Sequence, residues 1–281
     1  YTELYHPLNW TLGISNDWFV SGYAEIQRRD ITRYDNDSGA VISLYNRRSG
    51  TLGIDLGQPW AELGELRMGL SQRVERTTPD LVSSTQSAET AVTIRETGLR
   101  VAAVIDQLDF ANFPTRGYRF DAEAVGGRRQ RSGNDLREDF TRLEAEGTLV
   151  RSWGQHTLNL YARVQRTPQD NLSALGRYTL GGFHQLSGYR SGQLDGNSVV
   201  FTRLTWYRRS LTVPVFTRGF FVGATLEAGN AWQRWSDVRS SDLRSGGSLF
   251  LGADTGLGPV YFGLTYAPQG SAGLYLFVGR P

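Results

Sequence analysis

Two segments hold the residues whose types and spacing could do chemistry. One is Leu180-Gly181-Gly182-Phe183-His184-Gln185-Leu186-Ser187-Gly188-Tyr189, the centre of a glycine-rich stretch from 167 to 197. The other is Leu226-Glu227-Ala228-Gly229-Asn230-Ala231-Trp232, where alternation puts Glu227 on the polar phase of a strand. A carboxylate turned into a protein interior needs donors or a cation. The stretch ahead of it also contains Gly176, Gly192 and Gly196, and glycine allows tight folding and close backbone approach. Its Phe183, Leu186 and Tyr189 give such a loop something to pack with. The chemistry on offer is a latch between loop and wall. A plain glycine-rich surface connection is the competing reading.

Bond-making chemistry has little support. There is no Gly-x-Ser-x-Gly elbow, no His-Glu-x-x-His and no Gly-x-x-x-x-Gly-Lys. His6, His156 and His184 are far apart, and the absence of Cys excludes disulfides and thiolate metal sites. No catalytic residue, no metal site and no cofactor is expected, and the segment is not expected to be an enzyme.

The elements that must position Glu227 are strands. Nearly every stretch reads with period two, one phase apolar and the other polar. Leu158, Leu160, Ala162 and Val164 alternate with Asn159, Tyr161, Arg163 and Gln165, and Phe220, Val222, Ala224 and Leu226 with Phe221, Gly223, Thr225 and Glu227. Strands are expected near 1–8, 18–33, 40–57, 64–77, 90–110, 116–126, 138–152, 156–166, 197–209, 217–232, 247–256, 259–267 and 271–280. Several exceed the ~5–6 residues usual in globular sheets and match the ~9–11 of tilted membrane strands. No run approaches the ~18 apolar residues of a membrane helix, so a membrane-spanning reading requires a closed barrel.

The connections support that reading. Those at 58–63, 111–115, 153–155, 210–216 and 257–258 are short, whereas 78–89, 127–137, 167–196 and 233–246 are longer and polar, the asymmetry of outer-membrane barrels. Connections 34–39 and 268–270 depart from it. Trp10, Trp18, Trp60, Trp153, Trp206, Trp232 and Trp235 all fall at or near strand ends, as interface girdles require. The polar phase carries Glu25, Arg29, Arg67, Arg73, Arg100, Asp106, Arg119, Asp121, Glu123, Arg142, Glu144, Glu146, Arg163, Arg203, Glu227 and Asp254. Such mixed charge implies a hydrated, mutually paired interior. Thirty basic and 28 acidic residues leave a net charge of +2, so no nucleic-acid partner is expected.

At the loop and the acidic strand the sequence resembles the BamA, TamA and FhaC superfamily of outer-membrane insertases and translocators. In those sixteen-stranded barrels a loop with a Gly-Gly turn and an Arg-Gly-Phe/Tyr tip folds into the lumen, and its Arg meets an acidic residue two strands on. Gly181-Gly182 matches the turn, Gly188-Tyr189 the tip, and Glu227 with Gly229 the acidic strand. Phe113-Pro114-Thr115-Arg116-Gly117 resembles the family's Pro-x-x-Gly turn between its eighth and ninth strands, and Leu274 to Pro281 a closing strand without its terminal aromatic. Ser187 stands where the family has Arg. Either another base pairs with Glu227, with Arg190 and Arg203 nearest in sequence, or packing anchors the loop.

The expectation is therefore an all-β, antiparallel transmembrane barrel forming a single domain over 1–281, with about thirteen of sixteen strands in this chain. Counting back from the loop makes residues 2–8 the fourth strand, so the first three would be absent and the chain truncated at its N-terminus. The Leu186-Ser187-Gly188-Tyr189 tip resembles patatin-like type Vd autotransporters. That resemblance implies a translocator anchoring, and helping export, an N-terminal patatin-like lipase passenger. Its partners would be outer-membrane lipid and the passenger and POTRA domain of the same polypeptide, with a homodimer left open. A passive porin-like channel and a BamA-type insertase or two-partner secretion transporter are the alternatives.

Overall fold

The computed structural model describes residues 1–8, 17–34, 40–82, 91–133, 137–168, 178–210 and 217–280, without the side chains of 81 and 82. Trp10 and Gly176 lie outside the described residues.

The long strands are β1 (Thr2–Pro7), β2 (Phe19–Tyr34), β3 (Val41–Trp60), β4 (Gly64–Val82), β5 (Val92–Asp106), β6 (Gly117–Arg131), β7 (Arg137–Trp153) and β8 (His156–Arg166). After the short β9 (Tyr178–Leu180) and β10 (Leu194–Gly196) come β11 (Ser198–Arg209), β12 (Thr217–Trp232), β13 (Arg244–Thr255), β14 (Gly258–Tyr266) and β15 (Ala272–Val278). Thirteen of them form one sheet in chain order, β8 standing next to β11, while β9 and β10 pair only with each other. All registers given below are antiparallel.

The sheet is inside out relative to a soluble one. In β12 the polar phase is buried, Thr225 at 3% and Glu227 at 4% exposure, while Leu226 is 70% exposed. Leu52, Met68, Leu99, Leu249 and Leu276 are likewise exposed. A soluble sandwich would bury those leucines; a barrel presents them to lipid.

Strand ends differ from the sequence expectation. β3, β4 and β6 run on to Trp60, Val82 and Arg131, so the connection expected at 127–137 shrinks to 132–136 and that at 58–63 to 61–63. The strands continue past the segments in which side-chain polarity alternates, so the pattern gives no signal for their ends. β13 also begins earlier, at Arg244, and two single turns of 3-10 helix, Trp235–Asp237 and Ser240–Asp242, occupy the connection before it. Trp60 and Trp153 are exposed at strand ends, but Trp232 is buried at the end of β12.

The described residues form two compact units, those within Tyr1–Ile105, Asp121–Ala145 and Arg166–Gly176, and those within Asp106–Phe120, Glu146–Gln165 and Arg177–Pro281. In the first, arginines and carboxylates of the polar face are matched to one another. Arg100 bonds Asp55 and lies 2.7 Å from Glu123; Arg142 is 2.8 Å from Glu123 and 3.2 Å from Glu144. Arg67 joins Glu3 and Glu65 at 2.6 and 2.5 Å, and Glu75 takes both Arg47 and Arg73.

The second unit holds aromatic side chains instead. Phe113, Phe183, Tyr207, Phe221, Phe250 and Tyr261 form one buried cluster. Phe113 reaches it from the turn between β5 and β6, with φ of 46°. Asp109 builds this turn: its carboxylate accepts the Thr115 hydroxyl and the N–H groups of Thr115 and Arg116 at 2.8 and 3.2 Å. Partial burial opposes ionisation of Asp109, but those bonds hold its carboxyl below the ordinary range. Tyr207 donates its hydroxyl to the Pro114 carbonyl and pins the turn to β11.

Candidate functional site

The loop and Glu227 meet within the second unit. β9 and β10 form a three-pair hairpin with Leu180 opposite Leu194 and Tyr178 opposite Gly196. Between them the chain turns back on itself, because the Gly181 N–H donates to the Gln185 carbonyl and the Gln185 N–H to that of Gly182. Both glycines have positive φ, 125° and 112°, which side chains rarely adopt. His184 and Leu186 also sit at positive φ, 59° and 83°, a costly conformation for a leucine.

The strained backbone points two successive N–H groups at one atom. Glu227 Oε2 accepts the N–H of Leu186 at 2.9 Å and of Ser187 at 2.5 Å, an arrangement of consecutive amides that favours an anion. Glu227 Oε1 accepts the Ser187 hydroxyl at 2.9 Å and the Thr225 hydroxyl at 2.6 Å. Thr225 is in turn bonded to Ser248, its register partner on β13. Ser187 Oγ accepts the His184 N–H at 3.1 Å, so the serine is engaged as donor and acceptor.

The pairing of Glu227 with a second base, expected from the sequence, is not what its oxygens show. No base bonds it among the described residues, and packing of the loop is joined by hydrogen bonds to the carboxylate. The loop's own amides and the Ser187 hydroxyl take the part expected of an arginine. Arg203 lies directly opposite Glu227 in register, yet its Nη1 donates to the His184 carbonyl at 2.6 Å. Arg190 is exposed, and its backbone N–H bonds Gln193.

Packing secures the rest. Leu180, Leu186 and Tyr189 are buried with Val199, Phe201 and Ala267. Gly229 makes room for Leu180, since a Cβ there would lie 3.1 Å from it and 2.7 Å from the Val200 carbonyl. Gly188 has φ of 91°, and a Cβ would collide with Ala267. The Gly188 carbonyl accepts the N–H and hydroxyl of Ser271, and the Tyr189 carbonyl the Tyr275 hydroxyl. His184 stacks on Phe183 at 3.9 Å between centroids. Its burial, with the nearby Arg203 charge adding to it, holds its imidazole well below 6.5 and neutral.

Sequence reasoning missed Thr225, Ser248 and Gly246. The first two lie on the polar phase beside Glu227 and could have been found from strand register. Gly246 stands opposite Glu227 on β13, and any Cβ would strike the Ser187 carbonyl.

An antiparallel sheet with its apolar phase outward and a loop seated on its polar face is a transmembrane β-barrel of the outer-membrane kind. The Omp85 superfamily domain matches residues 4–273, and the chain belongs to that superfamily, whose barrels reside in the bacterial outer membrane. No curated protein sequence matches it. Among solved structures, BamA from Haemophilus ducreyi lacking POTRA domains 1-3 superposes with a TM-score of 0.71 at 12% identity, covering 98% of this chain and 59% of that one. CdiB from Acinetobacter baumannii gives 0.56 at 12%, covering 91% and 44%, and CdiB from Escherichia coli 0.56 at 14%, covering 98% and 56%. These likenesses concern the fold, and the chain spans less than two thirds of each relative.

Proposed function

We propose that this chain is the barrel of an outer-membrane translocator that anchors, and helps export, an N-terminal passenger, with the internal loop as its gate. The observation that carries the reading is the buried Glu227 carboxylate held by Leu186 and Ser187 of the loop. That carboxylate is one discrete tether among the loop's contacts, so its loss would loosen the loop tip without dismantling the strands around it. The Leu186-Ser187-Gly188-Tyr189 tip supports the patatin-like type Vd subgroup, in which the passenger is a lipase joined through one POTRA domain.

Glu227→Gln in the full-length protein tests the gate. It keeps the shape of the side chain but weakens the bonds it accepts, so single-channel current in planar bilayers should fluctuate more and surface display of the passenger should fall. Unchanged current together with unchanged display would sink the reading. A porin-like channel predicts steady current in both forms. An insertase or two-partner transporter is favoured by the BamA and CdiB likenesses, and several POTRA domains ahead of Tyr1 would support it.

A further inference from the structure

A cavity of about 380 Å³ lies beside the loop in the second unit, within the size range of ligand pockets. Its lining includes Arg119, Arg163, Arg203 and Arg280 against a single carboxylate, Glu146. Glu146 already accepts the Tyr161 hydroxyl at 2.7 Å. Arg119 faces Asp106 at 3.9 Å and Arg280 bonds Asn112. Arg163 is different: its Nε and Nη2 are buried and have no hydrogen-bond partner, and the same holds for Nε of Arg203.

Nε and Nη2 form one edge of a guanidinium, the fork that binds both oxygens of a carboxylate or phosphate. A buried fork left empty is costly, so its lack of a partner marks a place for one. The two guanidinium groups are held in advance. Arg163 lies 5.7 Å from the Phe201 ring and Arg203 5.2 Å from that of Tyr161, both at cation–π distance.

The geometry points to an oxyanion site at Arg163 and Arg203, filled by an acidic side chain of a polypeptide lying along the polar face. Lipid meets the opposite, apolar face of the sheet, which disfavours a lipid headgroup. The cavity also exceeds the needs of a bare ion, and the rings of Tyr207, Phe250 and Tyr261 line it for the rest of a residue. The site does not depend on the translocator reading, because a porin with these residues would have it too. It does touch the gate, since Arg203 also bonds the His184 carbonyl.

Calorimetric titration of the full-length protein in detergent at low salt tests this. Tetraglutamate should bind and tetraglutamine should not, and Arg163→Gln should weaken tetraglutamate by at least about tenfold. Arg163→Lys, which keeps the charge and removes the fork, should weaken it by at least about threefold, and this variant carries the test if Arg163→Gln does not fold. Equal affinity in the variants, equal binding of tetraglutamine, or no binding of tetraglutamate would overturn the site. Inorganic phosphate binding that depends on Arg163, with no tetraglutamate binding, would overturn the polypeptide as its occupant.

Discussion

The two compact units solve the same problem differently. Each carries ionisable groups on a polar face. In the first, Arg100, Arg142 and Arg67 meet Asp55, Glu123, Glu144, Glu3 and Glu65, so charge is spent on charge. In the second, Glu227 is met by loop amides and hydroxyls, and the Nε–Nη2 edge of Arg163 stays open. Matched side chains make a wall that is hard to perturb at one point. A carboxylate served by a loop's backbone makes a wall whose hold on the loop weakens when that one group is lost.

The largest break should come from Glu227→Ala, which leaves four buried donors unmet. Loop docking should weaken by about 3–5 kcal/mol, since several hydrogen bonds to a charged group are lost together, each worth about 1.5–3 kcal/mol and not fully additive. Limited proteolysis within 182–190 would read it, and unchanged protection would mean that Glu227 does not hold the loop. Ser187→Ala removes one hydroxyl bond to the carboxylate but leaves both amides, so a loss of about 1.5–3 kcal/mol is expected by the same assay.

Gly246→Ala should cost about 1–3 kcal/mol by overpacking the Ser187 carbonyl. Gly50→Ala on β3, with nothing within 4 Å of its Cβ position, should be close to neutral. Thermal melts in detergent would compare the two glycines, and equal melting temperatures would erase the contrast.

Acid should also act on the second unit. The docked His184 resists protonation while a released loop would take up a proton near 6.5. Its contribution to docking is therefore present above that pH and is lost as the pH falls below it. Protection factors of the loop amides at pH 7.5 and 5.5, corrected for the intrinsic pH dependence of exchange, would measure this, and His184→Gln should make them equal at the two pH values. The smallest effect should be Arg73→Gln in the first unit, about 0.5 kcal/mol, because Glu75 keeps Arg47 and the pair is partly exposed. A larger loss on thermal melting would show that the lattice is less redundant than its contacts imply.

Strand identity was legible because alternation in segments such as Phe220 to Glu227 is set by the pleat itself. The ends of β4 and β6 were not, since backbone pairing continues where side-chain polarity no longer alternates. The β9–β10 hairpin is three residues per strand, too short for any period to register. Glu227 and the loop glycines could be picked out by type and spacing. The donors to Glu227 could not, because two of them are backbone N–H groups aimed by positive φ at Leu186, which no residue letter announces.

Phe183 belongs to a ring cluster with partners from residues 113 to 261 of the chain. Its seat does not exist until the Asp109 turn has closed and β11 to β14 have assembled, and contacts that distant in sequence form slowly. Full packing of Phe183 therefore requires that turn and those strands to be in place. Protease protection of the loop would then report when β11 to β14 have come together around the ring cluster.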